Sequence, residues 1–276
     1  MSPAEPSDAV SKTIDDVLAD LDAILERSLA EPSRLGYFAA LYRKVTAKVK
    51  EGIEQGFFED GPRMERLDVV FASRYLDALA TFESGGKPTE AWQVAFEAAG
   101  RWRPLILQQL LVGINAHINL DLGIAAAEIA PGDELQKLRT DFDRINEILF
   151  SLVEEVEKEL GSLSPLIAWL ERIGGKLDEI LVRFSLRIAR ESAWSLAEKL
   201  APLPQDQWSS IVKGRDAFTA DLGREILSPG PFLRYGLMLI RLFESNDIRH
   251  NIEVLASTED PDLEHVESRR LKRQST

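Results

Sequence analysis

The chain has 276 residues, of which 45% are hydrophobic and 29% charged, a composition typical of a globular protein. Its net charge of −13 argues against nucleic acid or an anionic membrane surface as the main partner, because both require a basic face. The absence of cysteine excludes disulfides, thiolate metal ligands and cysteine nucleophiles. The amino terminus lacks the charged start and continuous apolar core of a secretory signal, and we therefore expect a cytoplasmic protein.

Apolar residues recur at helical spacing along most of the chain, and no run of strict apolar/polar alternation is long enough to predict a strand. The predicted helices cover about residues 11–29, 32–55, 64–83, 89–96, 104–130, 133–160, 166–173, 176–200, 205–227, 231–245 and 247–256. We predict an all-α fold of about ten helices packed around a buried central helix at about 104–130. The expected organisation is one domain at 11–256 between disordered segments at 1–10 and 257–276.

The central helix is the longest apolar stretch of the sequence, and it is long enough to span a membrane. It nevertheless contains polar residues throughout, which are Gln108, Gln109, Asn115, His117, Asn119, Asp121 and Glu128. Charged and amide side chains near the middle of the run make a buried helix the better interpretation than a membrane span. Because an unsatisfied buried polar group costs about 1–3 kcal/mol, each of these side chains needs a partner.

The polar residues of the central helix fall on two faces. At about 100° per residue, Gln108, Asn115 and Asn119 share one stripe. His117, Asp121 and Glu128 share another, almost opposite. The helix is therefore expected to present polar groups to two different neighbours. Two glycines, Gly113 and Gly123, either allow neighbouring helices to approach closely or soften the helix near the polar cluster.

His117 and Asp121 are four residues apart, so they lie one turn from each other on one face of the helix. A carboxylate beside an imidazole can fix its tautomer and tune it as a general acid or base. The alternative is a buried histidine with a structural role, with Asn115 and Asn119 joining neighbouring elements. No cofactor is predicted, although a divalent metal at His117 and Asp121 is not excluded. Only three histidines occur, which disfavours a tri-histidine zinc site.

Two further groups of residues could contribute to a site. Arg190 and Trp194 lie on a basic stripe of the helix at 176–200, which forms either a solvated edge or an anion-binding face. Arg74 and Tyr75 lie in the segment DVVFASRYLDAL (68–79), where a structural ion pair between Arg74 and Asp77 explains the pattern as well as a site does.

Three segments of the sequence together resemble a bacterial domain family of unknown function. They are FASRYLDAL (71–79), GINAHINLDLGIA (113–125) and ARESAW (189–194), preceded by YRKVTAKVKEGIEQGFFED. The resemblance covers roughly Tyr37 to Leu200, and the Asn-Ala-His-Ile-Asn-Leu-Asp-Leu string is its most specific part. The resemblance implies no activity. It implies that the polar residues act together, namely Asn115, His117, Asn119 and Asp121, with Arg74, Arg190 and Trp194 as companions.

The leading hypothesis is an enzyme that acts on a small organic molecule in an enclosed, largely apolar pocket beside the central helix. In it His117 is the acid/base and Asp121 orients it. Asn115, Asn119, Arg74, Tyr75, Arg190 and Trp194 would contact the substrate or brace the site. Hydrolysis, elimination and cyclisation all suit these residues. The alternative is a non-catalytic helical bundle that binds a hydrophobic ligand or a protein partner and whose polar cluster is structural. The sequence indicates no particular oligomeric state.

Overall fold

The computed structural model describes residues 12–164 and 186–257, and every regular element within these ranges is a helix. The predicted all-α class is therefore confirmed. The α-helices are α1 (Ile14–Ala30), α2 (Leu35–Glu54), α3 (Gly61–Glu83), α4 (Glu90–Ala99), α5 (Ile106–Asn115), α6 (Gly123–Ile129), α7 (Glu134–Leu163), α8 (Leu186–Leu200), α9 (Ser209–Leu227), α10 (Pro231–Phe243) and α11 (Ile248–Ala256). A π-helical segment (Ala116–Leu122) joins α5 to α6, and a short 3₁₀ turn (Gln205–Gln207) precedes α9.

Several predicted helix boundaries shift because of capping residues. Helix α3 begins at Gly61, three residues before the predicted start, because the Asp60 side chain accepts a hydrogen bond from the Arg63 backbone N–H at 3.0 Å. Pro62 fits the first turn of that helix, where no backbone donor is needed. The predicted helix at 166–173, the first part of that at 176–200, and the terminal segments, apart from Ser257, lie outside the described residues.

The predicted central helix is present as three consecutive segments, α5, the π-helical segment and α6, which together run from Ile106 to Ile129. By length and composition it could span a membrane, with a mean hydropathy of 1.4, but 94% of its most apolar window is buried inside the protein. The helices α2, α3, α4, α8 and α9 pack around it. It is the core of the fold, as the sequence predicts.

Both glycines of the central helix allow close packing. A Cβ atom at Gly113 would lie 2.6 Å from the Phe38 ring, and one at Gly123 would overlap the carbonyl oxygen of Ala193 on α8. A side chain at either position would therefore push a packed neighbour away. Of the two explanations offered by the sequence, close packing is the one that the structure shows.

The amino end of the central helix is capped from a distant helix. The Ile106 backbone N–H donates to both carboxylate oxygens of Glu244, at 3.2 and 3.1 Å, and Arg241 lies 3.4 Å from the same group. A carboxylate suits this position because a helix amino terminus is partially positive. Burial raises the pKa of Glu244 to about 7, and the hydrogen bond from Ile106 and the charge of Arg241 offset only part of that effect.

We expect Gly123→Ala to lower the free energy of unfolding by about 1–3 kcal/mol, because α8 must move away from the new methyl group. The matched control is Gly214→Ala on α9, where a Cβ atom would meet no other atom within 4 Å. That change should raise stability by up to about 1 kcal/mol, since alanine favours a helix interior over glycine. Denaturant unfolding measures both. Equal effects of the two substitutions would contradict the packing role of Gly123.

Glu244 should make stability depend on pH. Its pKa is about 7 in the folded protein and near the ordinary 4.5 when unfolded, so folding takes up a proton between these values. The stabilising contribution is fully present at low pH and is lost as pH rises toward 7. The melting temperature of Glu244→Gln should therefore rise relative to wild type between about pH 5 and about pH 8. The exposed Glu225→Gln is the control, and a pH-independent difference for Glu244→Gln would contradict the assignment.

Candidate functional site

The polar middle of the central helix adopts a π-helical conformation. The π-helical segment contains His117, Asn119 and Asp121, all of which are at most 3% exposed. Short π-helical insertions in α-helices are uncommon and occur frequently at functional sites, because the wider turn changes the direction of the side chains. The altered winding thus coincides with the polar cluster that the sequence singles out. Glu128, predicted on the His117 face, lies beyond the segment at the protein surface.

Asp121 is held by donors from two neighbouring helices. Its Oδ1 atom accepts a hydrogen bond from Arg74 Nε on α3 at 2.9 Å, and its Oδ2 atom accepts one from Trp92 Nε1 on α4 at 2.7 Å. The Asp121 side chain is 1% exposed, whereas that of Arg74 is 26% exposed. A buried carboxylate with a cationic partner and a second donor is held in a fixed orientation. Arg74 therefore pairs with the central helix, and not with Asp77 on its own helix.

His117 lies inside a group of aromatic rings. The Phe71 ring stacks on the imidazole with 3.5 Å between centroids and 9° between planes, and the Tyr42 ring meets it edge-on at 4.4 Å. Phe38, Trp92 and Tyr75 complete the enclosure at centroid distances of 5.7, 6.0 and 6.3 Å. We call these five residues the aromatic enclosure. Phe71 and Phe38 are its half-buried members, so they separate the imidazole from solvent.

The imidazole of His117 is buried without a hydrogen bond. Its Nδ1 atom is 3.6 Å from Asp121 Oδ2, which is too long for a hydrogen bond. Neither ring nitrogen has a hydrogen-bond partner within the usual distance. Burial lowers the pKa of His117, and the nearby Asp121 carboxylate opposes this change only in part. The ring is therefore neutral at pH 7, with one nitrogen carrying a lone pair and the other a hydrogen. This state suits a general base.

The opposite face of the central helix makes hydrogen bonds within the protein. Asn115 Nδ2 donates to the Thr219 carbonyl at 2.8 Å, and Asn119 Nδ2 donates to Asn115 Oδ1 at 3.0 Å. Gln108 Nε2 donates to the Ile226 carbonyl at 2.7 Å. The bonds from Gln108 and Asn115 join the central helix to α9, and the bond from Asn119 to Asn115 lies within the central helix. The prediction of two polar faces with different neighbours is confirmed for the buried residues, and Asn115, to which Asn119 donates, braces the packing with α9.

The remaining sequence-selected residues divide into two groups. Tyr75 lies in the aromatic enclosure, fully buried, and burial raises the pKa of its hydroxyl. Arg190 and Trp194 lie on α8 against α7, where Arg190 donates to the Phe142 carbonyl and stacks over the Phe142 ring. Trp194 Nε1 donates to Glu198 at 3.0 Å. Arg190 is thus buried and does not belong to a solvated edge of α8. The arginine that pairs with Asp121 is Arg74.

Sequence reasoning missed several residues around His117. Trp92 donates its indole N–H to Asp121, which lies 29 positions away in the sequence. Phe38 and Tyr42 come from α2, far from the central motif in sequence. One available signal is chemical, since a buried indole N–H needs a partner and the central helix offers a buried acceptor. The choice of partner depends on packing between helices.

Two surface grooves in the described part of the chain lie away from His117, which lines neither of them. One, of about 290 Å³, lies between α8 and α9 and is lined by Ser192, Lys199 and Arg215 among others. The other, of about 330 Å³, lies between α4 and α9.

Within the described ranges, no group of three or more histidine, aspartate or glutamate side chains is arranged so that it could hold a metal ion. A cation at His117 and Asp121 would also compete with Arg74 for the carboxylate, so this donor set suits a divalent ion poorly.

These features define an all-helical protein with a buried histidine and aspartate on a π-helical segment of its central helix. The chain belongs to a family of unknown function (DUF5995), whose family model matches residues 14–229. The resemblance noted from the sequence to a family of that kind is confirmed. The match spans α1 to α9 and so includes the entire candidate site, while α10 and α11 lie beyond it. No curated protein and no solved structure matches the chain significantly.

We expect Asn115→Ala to destabilise the protein by about 1–3 kcal/mol, because the Thr219 carbonyl and the Asn119 amide lose their partner inside the core. Asn146→Ala, at a partly exposed position on α7, is the matched control and should change stability by less than about 0.5 kcal/mol. Denaturant unfolding measures the difference. A loss no larger than that of the control would show that the Asn115 face does not anchor α9.

Proposed function

We propose that the protein is an enzyme for a small organic molecule, in which His117 acts as general base and acid and Asp121 orients it. One observation carries the proposal, namely that both nitrogens of a fully buried imidazole lack a hydrogen bond. Buried polar atoms are almost always paired, and leaving one unpaired costs about 1–3 kcal/mol. A substrate or water that meets the imidazole would recover this energy.

The surroundings of His117 support the same role. Asp121 is held by Arg74 and Trp92, so its position does not depend on the histidine. Closing the 3.6 Å gap between Asp121 Oδ2 and His117 Nδ1 by a small ring movement would form the orienting hydrogen bond. Such bonds are often long in unliganded enzymes and shorten when the substrate binds. The Nε2 atom, on the other side of the ring, would then exchange protons with the substrate.

Access to the imidazole requires a side chain to move. Phe71 covers one face of the ring and is half-buried, so rotation of its side chain would open a path from solvent to His117. The remaining aromatic enclosure would surround a bound molecule with apolar surface and exclude water. In this proposal Arg74 and Tyr75 border the substrate space, and Asn115 and Asn119 keep the central helix in position.

A non-catalytic helical bundle is the second candidate, and one observation favours it. The Phe71 and His117 rings are in direct contact, with 3.5 Å between their centroids, which leaves no room for a molecule between them. In this alternative the imidazole is a packing element, and the enclosure closes around it permanently. The two candidates differ in what they expect when the imidazole is replaced.

His117→Asn should reduce activity by at least about 100-fold, the smallest contribution expected of a general acid or base. Activity is measured by incubating the protein with a small-molecule extract of cells and following consumed and formed compounds by mass spectrometry. The helical circular dichroism signal and the melting temperature should stay close to wild type, because asparagine can still face Asp121. His250→Asn, at an exposed position on α11, is the control and should retain full activity.

Two results would contradict the catalytic role of His117. One is activity in the His117→Asn variant equal to that of wild type. The other is loss of activity in parallel with loss of helical structure, which would assign His117 to the core and favour the non-catalytic bundle.

A further inference from the structure

A second buried acidic group lies on α3, the helix whose Phe71 stacks on His117, and it has no part in the arrangement described so far. Asp68 on α3 is 7% exposed, and its Oδ2 atom is buried without a hydrogen bond. It precedes Phe71 by three residues, so the two side chains lie on the same face of α3. Because Phe71 stacks on His117, that face of α3 is the one turned toward the imidazole.

Tyr42 contacts His117 and responds to the charge of Asp68. Its ring meets the imidazole at 4.4 Å, and the pKa of its hydroxyl is raised by burial first and by the Asp68 charge second. The hydroxyl groups of Tyr42 and Thr46, one turn apart on α2, also lack hydrogen-bond partners. Four side chains on α2, α3 and the π-helical segment thus have buried polar atoms without a hydrogen bond, namely Tyr42, Thr46, Asp68 and His117. Such a concentration is unusual in a protein interior.

The pKa values of Asp68 and His117 are shifted in opposite directions. Burial raises the pKa of Asp68 to about 7, and the negative charge of Glu65 on the same helix adds to the effect. Burial lowers the pKa of His117, with Asp121 opposing and Arg74 adding to that change. Below pH 7 the Asp68 carboxyl is therefore mostly protonated, while the lowered pKa of His117 favours the neutral imidazole. Environments that push two titratable groups apart in this way are typical of acid and base pairs.

We propose that Asp68 is the proton donor of the His117 site, and that the substrate is a small neutral hydroxy-carbonyl compound. This inference rests on the proposed role of His117. A neutral substrate fits because the Asp121 charge is already matched by Arg74. A charged molecule inside the aromatic enclosure would be buried without a partner, at a large cost in free energy.

Elimination of water from such a substrate needs a base and an acid but no water nucleophile, so His117 and Asp68 are sufficient for it. His117 Nε2 removes a proton from the carbon next to the carbonyl, and the electron pair of that C–H bond forms the C=C bond. The C–O bond to the hydroxyl breaks as Asp68 delivers its proton to that oxygen, and water leaves. The imidazolium then returns its proton to the Asp68 carboxylate through the released water molecule, which restores the starting state.

Whether Asp68 and His117 lie close to each other is tested first by NMR, without a substrate. The protein contains three histidines, so ring signals from labelled histidine can be assigned with the His117→Asn variant. The His117 signals should show a step with a midpoint of about 7 that reports ionisation of Asp68. Asp68→Asn should remove this step, and Asp77→Asn, at an exposed position on the same helix, should retain it. A step that persists in Asp68→Asn, or no step in wild type, overturns the proposal.

The chemistry is tested with diacetone alcohol, a neutral hydroxyketone whose dehydration gives the conjugated ketone mesityl oxide. Wild type should form mesityl oxide and, in deuterated water, exchange the hydrogens next to the probe's carbonyl. Asp68→Asn should lose at least about 100-fold in dehydration and keep the exchange, because exchange needs only the base. His117→Asn should lose both, and Asp77→Asn neither.

The outcomes separate the two proposals. If Asp68→Asn dehydrates the probe as fast as wild type while His117→Asn is inactive, Asp68 is not the donor and the role of His117 stands. If His117→Asn is as active as wild type, the proposed function itself fails. A wild-type protein that neither exchanges nor dehydrates the probe overturns the proposed substrate class.

Discussion

The buried carboxylate of Asp121 is the constraint around which the centre of this protein is arranged. A negative charge in the middle of a core helix is stable only with partners that replace water. Arg74 from α3 and Trp92 from α4 supply them, so the charge ties two neighbouring helices to the central one. The requirement is geometric as well as electrostatic, because both donors must approach the same carboxylate while the surrounding apolar side chains close-pack.

The same arrangement leaves His117 in an unusual state. Asp121 uses its hydrogen-bonding capacity on Arg74 and Trp92, and the imidazole one turn away is packed among rings with its nitrogens free. The π-helical segment supplies the backbone geometry that places both groups inside the core. Asn115, to which Asn119 donates, holds the other side of the helix to α9. The amide side chains of that face thus donate hydrogen bonds within the protein, whereas the His117 imidazole makes none, which is why the functional proposal rests on the His117 face.

The family match and the geometry bear on different aspects of the protein. The match to a family of unknown function establishes kinship over residues 14–229. The proposed chemistry rests on atoms within that range, which are the imidazole nitrogens, the Asp121 oxygens and the unpaired carboxyl of Asp68. Asp68 differs from the other two because the sequence pattern of the segment that it opens, 68–79, assigns it no role. Its interest arises from burial and from the absence of a partner, and both are properties of the packed protein.

Helical periodicity in the sequence determined the all-α class and most helix positions, because amphipathic spacing and breaking residues act locally. It also determined that the central helix has two polar faces, since helical pitch alone places Asn115 and His117 on different sides. Local patterns did not predict the π-helical winding, the Arg74–Asp121 pair or the enclosure of His117 by Phe71 and Tyr42. Those contacts join residues far apart in the sequence, and packing selects them from many chemically equivalent pairs. Only the tertiary structure decided that the aspartate is satisfied and the histidine is not.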